Sequence, residues 1–153
     1  REQRPLSLVI CDLDRFRQYN ERYGHHAGDK CLLRIAEVVT GYSRRAGDLV
    51  VRFGSEEFAV LLPETGELAA LDVAESIRGG IYDLTLMHGA SDVERILTAS
   101  CGAATITPAP GQRPQLLIDA AANALQRAKR AGRNCVFAVA GPLELESEQD
   151  EGG

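Results

Sequence analysis

The chain has 153 residues, room for one compact domain and little more. Its 44% hydrophobic and 25% charged content is ordinarily globular, and its net charge of −5 lies entirely in residues 141–153, where Glu144, Glu146, Glu148, Asp150 and Glu151 stand without a base. Residues 1–140 are therefore balanced, with no basic stripe, which argues against general nucleic-acid binding because that needs several phosphate-neutralising cations. The acidic end has no aromatic residue and reads as a solvated, disordered tail.

Cys11, Cys31, Cys101 and Cys135 lie far apart in apolar runs, without C-x-x-C spacing, as expected of buried reduced thiols in a cytoplasmic protein. No apolar run approaches the ~20 residues that a membrane span requires, so no membrane contact is expected of this domain. The opening Arg-Glu-Gln-Arg-Pro has neither an initiator Met nor a signal-peptide pattern, as expected of a domain excised from a longer protein with an upstream regulatory part.

In chain order, Leu6 to Cys11 predicts a buried strand ending on Asp12-Leu13-Asp14. A short polar and aromatic segment, Arg15 to Tyr23, follows and closes at Gly24. Asp29 is expected to open a helix with Leu32, Leu33, Ile35, Ala36, Val38 and Val39 at helical spacing. Asp48–Phe53 and Glu57–Leu62 predict a hairpin around Gly54-Ser55-Glu56. A helix is expected from Glu67 to Gly79, burying Leu68, Leu71, Val73, Ala74 and Ile77. Residues 84–95 carry the weakest pattern and are expected to form a surface loop, with His88 in it lacking a partner. Ile96–Ile106 predicts a strand, with Gly102 a candidate bulge. Pro114 starts a third helix that ends at Ala131, with Gly132 in the C′ position, and Val136–Val139 closes the sheet. The order β-α-α-β-β-α-β-α-β implies an α+β fold, helices packed on a mostly antiparallel sheet.

Two carboxylates at the end of a hydrophobic strand are costly to bury without counter-charges. Asp12 and Asp14 are expected to point to opposite faces, Asp12 serving a site and Asp14 capping the next turn. Glu56 and Glu57 stand on a turn pinned to the sheet by Val50, Val51, Phe53, Phe58, Val60 and Leu61. Asp12 and Glu56 on neighbouring strands would present two hard oxygen ligands, a set that suits Mg²⁺ together with substrate phosphates. Lys129 and Arg133, four residues apart, would share a face of a continuing helix and supply cations for those phosphates. No P-loop pattern occurs.

Asp12-Leu13-Asp14-Arg15-Phe16, then Asn20, Gly24-His25 and Gly28-Asp29, resemble the opening of the GGDEF family. Arg52-Phe53-Gly54-Ser55-Glu56-Glu57-Phe58 stands where that family has its signature, and Ala128-Lys129-Arg130-Ala131-Gly132-Arg133-Asn134 resembles its ending. The resemblance covers roughly residues 5–140, making 1–140 the domain and 141–153 the tail. It implies the palm-like, ferredoxin-like fold of nucleotide cyclases and a diguanylate cyclase that condenses two GTP into cyclic di-GMP as a homodimer with product inhibition. It further implies that Asp12, the Leu13 carbonyl and Glu56 bind Mg²⁺ or Mn²⁺, with Glu57 assisting at the metal or the reacting hydroxyl. Asn20 and Asp29 would bind the guanine edge. Lys129 and Arg133 would hold the β- and γ-phosphates with backbone amides near Arg15 and Phe16, while Gly54 and Ser55 approach the nucleotide. Arg45 and Asp48 match the R-x-x-D of the family's inhibitory cyclic di-GMP site, with Ser76 where a second arginine is common. The chain departs from the pattern at Ser55, in place of Gly, and at Glu21, Ala122 and Gln126. The alternative is a degenerate domain that binds GTP or cyclic di-GMP without catalysis.

Overall fold

The computed structural model describes residues 4–43, 45–108 and 110–140; the acidic segment 141–153 lies outside the described residues. The elements are β1 (Leu6–Leu13), α1 (Phe16–Tyr23), α2 (His25–Gly41), β2 (Leu49–Arg52), β3 (Glu57–Pro63), α3 (Glu67–Asp83), β4 (Ala99–Ile106), α4 (Pro114–Arg130) and β5 (Val136–Ala140). They build one sheet in the order β2-β3-β1-β4-β5, antiparallel throughout except for β4 and β5. That pair is parallel because α4 crosses over between them, the connection a parallel pair requires. No described helix is long and apolar enough to cross a membrane.

β1 is central, apolar on both faces, and paired on both edges. Its period-two alternation sends Val9, Cys11 and Leu13 into a core with α1, α2 and α3. Leu8 and Ile10 face the other way, onto Leu117, Ala121 and Leu125 of α4. Cys11, Cys31 and Cys101 are buried free thiols, whereas Cys135, just before β5, is only half-buried.

The structure revises several boundaries. α2 begins at His25, so Asp29 lies inside the helix rather than at its start. α3 runs on to Asp83, and Leu68 is exposed on its outer face while Ala70, Ala74, Ile77 and Ile81 are buried. β4 begins at Ala99, and Gly102 is no bulge: it sits in register between Ile10 of β1 and Phe137 of β5. A Cβ there would stand 2.2 Å from the Leu125 amide nitrogen and 2.4 Å from the Ala121 carbonyl oxygen, so glycine is what lets α4 lie on the strand. Residues 84–98 are not a loose loop. Met87 bridges Ile96, and His88 N–H donates to the Arg95 carbonyl at 2.7 Å.

Candidate active site

The C-terminal end of β1 meets the β2–β3 turn on the sheet face that carries α4. Asp12 lies directly across the ladder from Glu57, and the Leu13 amide donates to the Glu56 carbonyl at 3.0 Å. Glu56 and Glu57 are half-buried and Asp12 is buried, so three acids are gathered within mutual electrostatic range. Burial pushes the Asp12 carboxyl above its usual value, opposed by the hydrogen bond and charge of Lys129. Glu56 and Glu57 are raised as well, first by burial and then by the Asp12 charge. Lys129, in the last turn of α4, reaches across to pair with Asp12.

Arg133 joins this site by a different route from the one its spacing suggests. α4 ends at Arg130, and Gly132, Arg133 and Asn134 follow with φ of 117°, 65° and 48°, so Lys129 and Arg133 do not share a continuing helical face. The turn nevertheless brings the Arg133 charge close enough to favour the ionised forms of both Asp12 and Asp92.

Asp14 neither caps α1 nor points away from Asp12. Asp14 lies in the turn just after β1, and its carboxylate meets Ser100, the residue that pairs with Asp12 across the β1–β4 ladder. The N-cap of α1 is Arg15, which has no side-chain capping bond. Asp14 is buried and accepts from Thr98 Oγ1 at 2.8 Å, Ser100 Oγ at 2.6 Å and the Asn134 amide at 3.0 Å.

α1 and α2 form the adjoining wall. Asn20 is seated against α2 at Gly28, where a Cβ would come within 1.9 Å of its Oδ1. That oxygen is buried without a hydrogen-bond partner among the described residues, and exposed Asp29 follows Gly28. Phe16 is buried and stacks on Tyr19 with ring centroids 5.7 Å apart, fixing the start of α1. Arg15, just before it, adopts a left-handed φ of 56° and is held at both ends. His88 Nε2–H donates to its carbonyl at 2.8 Å, and its guanidinium meets Asp92 at 2.8 and 3.3 Å. The His88 ring is buried edge-on against Tyr19 at 5.3 Å, so the histidine expected to lack a partner braces the start of α1.

Arg45 and Asp48 do not join this site. They precede β2, whereas Gly54 and Ser55 follow it, so the whole length of that strand separates the two. The Arg45 amide donates to Asp48 Oδ2 at 3.1 Å, and Nη1 reaches Thr65 Oγ1 at 3.3 Å. These residues line an open pocket of about 480 Å³ with Tyr42, Leu62, Ala69 and Val73, and Asp48 Oδ1 is buried there without a partner among the described residues.

A family model described as "Diguanylate cyclase, GGDEF domain" matches residues 1–135. The chain belongs to the GGDEF family. It is 36% identical over 132 residues to the diguanylate cyclase DosC of Escherichia coli K12, covering 86% of this chain and 28% of that protein. It is 36% identical over 142 residues to the response regulator PleD of Caulobacter vibrioides, covering 89% of this chain and 30% of PleD. The chain thus spans less than a third of the length of these relatives. Among solved structures it is similar to the GGDEF domain of DgcB from Caulobacter crescentus in complex with c-di-GMP, with a TM-score of 0.76 and 29% identity. That match covers 88% of this chain and 77% of the other.

In this GGDEF domain the departure at Ser55 is benign to the backbone. The positive φ of the turn, 90°, belongs to Gly54, while Ser55 stays outside the left-handed region and exposed. The roles of Asp14, His88, Asp92 and Asn134 were not readable from sequence. Asp92 and His88 meet Arg15 across 77 and 73 residues, and no local spacing signals such a contact.

Proposed function

We propose that this domain is a cytoplasmic diguanylate cyclase, the output part of a longer signalling protein. Its reaction is the condensation of two GTP into cyclic di-GMP and two pyrophosphates. The observation that carries this reading is the convergence of Asp12, Glu56 and Glu57 with Lys129 at the end of β1. Acids at this density are tolerated where a cation and a polyanion complete the charge balance.

The donor set fits a hard divalent cation. Asp12, Glu56 and the Leu13 carbonyl offer oxygen only, and the described residues hold no cluster of three His, Cys, Asp or Glu side chains that would cage a metal alone. Few protein oxygens completed by substrate phosphates is the Mg²⁺ pattern. Mg²⁺ or Mn²⁺, when bound, would neutralise the triphosphate and acidify the attacking hydroxyl. The rest is positioning by this chain. Lys129 and Arg133 hold the β- and γ-phosphates with backbone amides at Arg15 and Phe16, beside a turn at Gly54 and Ser55 that approaches the nucleotide. Asn20 Oδ1 and Asp29 accept from the guanine N2 amine and N1–H. Glu57 assists at the metal or the reacting hydroxyl.

One site holds one GTP, so each 3′-oxygen must attack the α-phosphorus of the GTP held by a second copy, losing its proton as pyrophosphate departs. The domain incubated with GTP and Mg²⁺ is therefore expected to form cyclic di-GMP at a rate that rises more than linearly with protein concentration. Strict proportionality across the monomeric range would exclude the two-copy mechanism. GTP binding without any product would favour the receptor reading.

The pocket at Arg45 and Asp48 is the second element of the proposal. Asp48 Oδ1 is available to accept from a guanine edge, and Arg45 can donate two parallel bonds. Arg45→Ala is expected to weaken cyclic di-GMP binding about tenfold or more, read by calorimetric titration. Asp12→Ala, on β1 and opposite the far end of the hairpin, is expected to bind it as the unaltered protein does. Equal affinity for unaltered protein and Arg45→Ala would move the ligand elsewhere.

A further inference from the structure

We propose that Asp14 is a positioning residue for Arg133: its buried carboxylate holds the turn 132–134 in the conformation that delivers the Arg133 guanidinium to the site. The inference rests on the reading that Arg133 binds the phosphates of GTP, and it concerns how that arginine is placed.

The turn is intrinsically unfavourable. Gly132, Arg133 and Asn134 have φ of 117°, 65° and 48°, three left-handed residues in succession, two of them bearing a Cβ. Each such non-glycine residue costs on the order of 1 kcal/mol, less for asparagine, so the conformation persists only if its surroundings impose it. The holding contacts are visible. The Arg133 amide donates to the Ala128 carbonyl at 3.1 Å, and Asn134 Oδ1 accepts from Arg78 Nη1 at 2.8 Å. The Asn134 amide donates to Asp14 Oδ2 at 3.0 Å. The last of these is charge-assisted and falls on a carboxylate only 2% exposed, so it outweighs an ordinary amide–carbonyl bond.

The rest of the Asp14 environment orients it for this purpose. Thr98 Oγ1, just before β4, and Ser100 Oγ, within it, donate to its two oxygens and leave the Asn134 amide as the third donor. Asp14 also follows directly from β1, which carries Asp12. One short stretch of chain thus presents Asp12 to the site and sets the turn carrying Arg133, whose charge reaches Asp12. A carboxylate serving only to staple β1 to β4 would need the two hydroxyls and not the bond to residue 134.

The test compares binding of a non-reactive GTP analogue, bridged by methylene between the α- and β-phosphorus, with binding of GMP. The variants are Asp14→Ala, Asp14→Asn, Arg133→Ala, the Asp14→Ala and Arg133→Ala double variant, and Thr98→Val. Asp14→Ala is expected to weaken the analogue about tenfold, as Arg133→Ala does, and to leave GMP within about twofold. The double variant should bind the analogue no more weakly than Arg133→Ala alone, because the two act through one group. Asp14→Asn keeps an oxygen toward Asn134 and a donor toward Ser100, and is expected to restore affinity. Thr98→Val removes one of the two hydroxyls that orient the carboxylate and is expected to weaken the analogue less than Asp14→Ala does, with GMP within about twofold. Equal losses for analogue and GMP in Asp14→Ala, or losses that multiply in the double variant, would overturn the proposal. Amide hydrogen exchange at Asn134 gives a readout independent of phosphate binding: it should be slow in the unaltered protein and Asp14→Asn, and fast in Asp14→Ala. Unchanged protection in Asp14→Ala overturns the positioning role, whereas unchanged analogue binding in Arg133→Ala removes the phosphate reading alone. Should Asp14→Ala not fold, Asp14→Ser replaces it, too short to reach the Asn134 amide.

Discussion

Gly102→Ala is expected to lower the melting temperature by about 10 °C or more, or to abolish folding. The strand at this position is regular, paired with Ile10 on one side and Phe137 on the other, so the side chain's direction is set by the sheet. A methyl group there would sit 2.2 Å from the Leu125 nitrogen, 2.4 Å from the Ala121 oxygen and 2.8 Å from the Leu125 Cα. All three are main-chain atoms of one helix, so no rotamer change relieves the overlap and the whole of α4 must lift. Overpacking of a rigid core costs about 1–3 kcal/mol, and a backbone obstacle puts this case at or beyond the upper end. Total stability of a domain this size is only about 5–15 kcal/mol. Lifting α4 also draws Lys129 away from Asp12, so any folded Gly102→Ala protein should bind GTP weakly. A melting temperature within about 2 °C of the unaltered protein, followed by circular dichroism, would show that α4 does not lie on β4 this closely.

Asp12→Ala and Glu56→Ala are each expected to reduce cyclic di-GMP formation at least a hundredfold. Loss of a hard oxygen ligand removes several kcal/mol of charge stabilisation from the reacting phosphate, and each 1.4 kcal/mol is about tenfold in rate. Asp12→Ala carries a second effect, because Lys129 loses its partner and is left half-buried beside Glu56 and Glu57. Melting temperatures should fall by no more than a few degrees, since removing one of three crowded acids relieves repulsion. Product formation by liquid chromatography, with the melting curve as a folding control, decides the matter. Near-normal turnover of either variant in Mg²⁺ would mean that the site has been assigned to the wrong carboxylates.

Most of the site's chemistry is legible along the chain, because the residues that make it lie in short runs. Asp12 and Leu13 end a hydrophobic strand, and Glu56 and Glu57 flank a tight turn. Strand pairing then leaves few ways to arrange them, and the Asp12–Glu57 register is one that the hairpin and β1 can adopt. Helix ends were less legible. The apolar period of α2 starts at Cys31, so the mostly polar stretch from His25 to Lys30 carried no periodic signal even though it belongs to the helix. α3 showed the reverse problem: Leu68 matches a helical period and still faces solvent, because only the stripe Ala70, Ala74, Ile77 and Ile81 meets the sheet.

The sequence by itself determined the family, the α+β order of elements and which acids, amides and cations are candidates for the site. These are local properties, carried by runs of a few residues whose spacing constrains strand, turn and helix directly. Tertiary structure alone decided which acid does what and how the cations arrive. Asp14 became a buried acceptor for Asn134 rather than a cap, Arg133 reached the site from a left-handed turn rather than a helix, and His88 and Asp92 closed on Arg15. Gly102 proved to be a contact with α4 and not a bulge. Each of these joins residues separated by tens of positions, where hydrogen bonding and van der Waals exclusion depend on how the packed elements meet and leave no period in the chain.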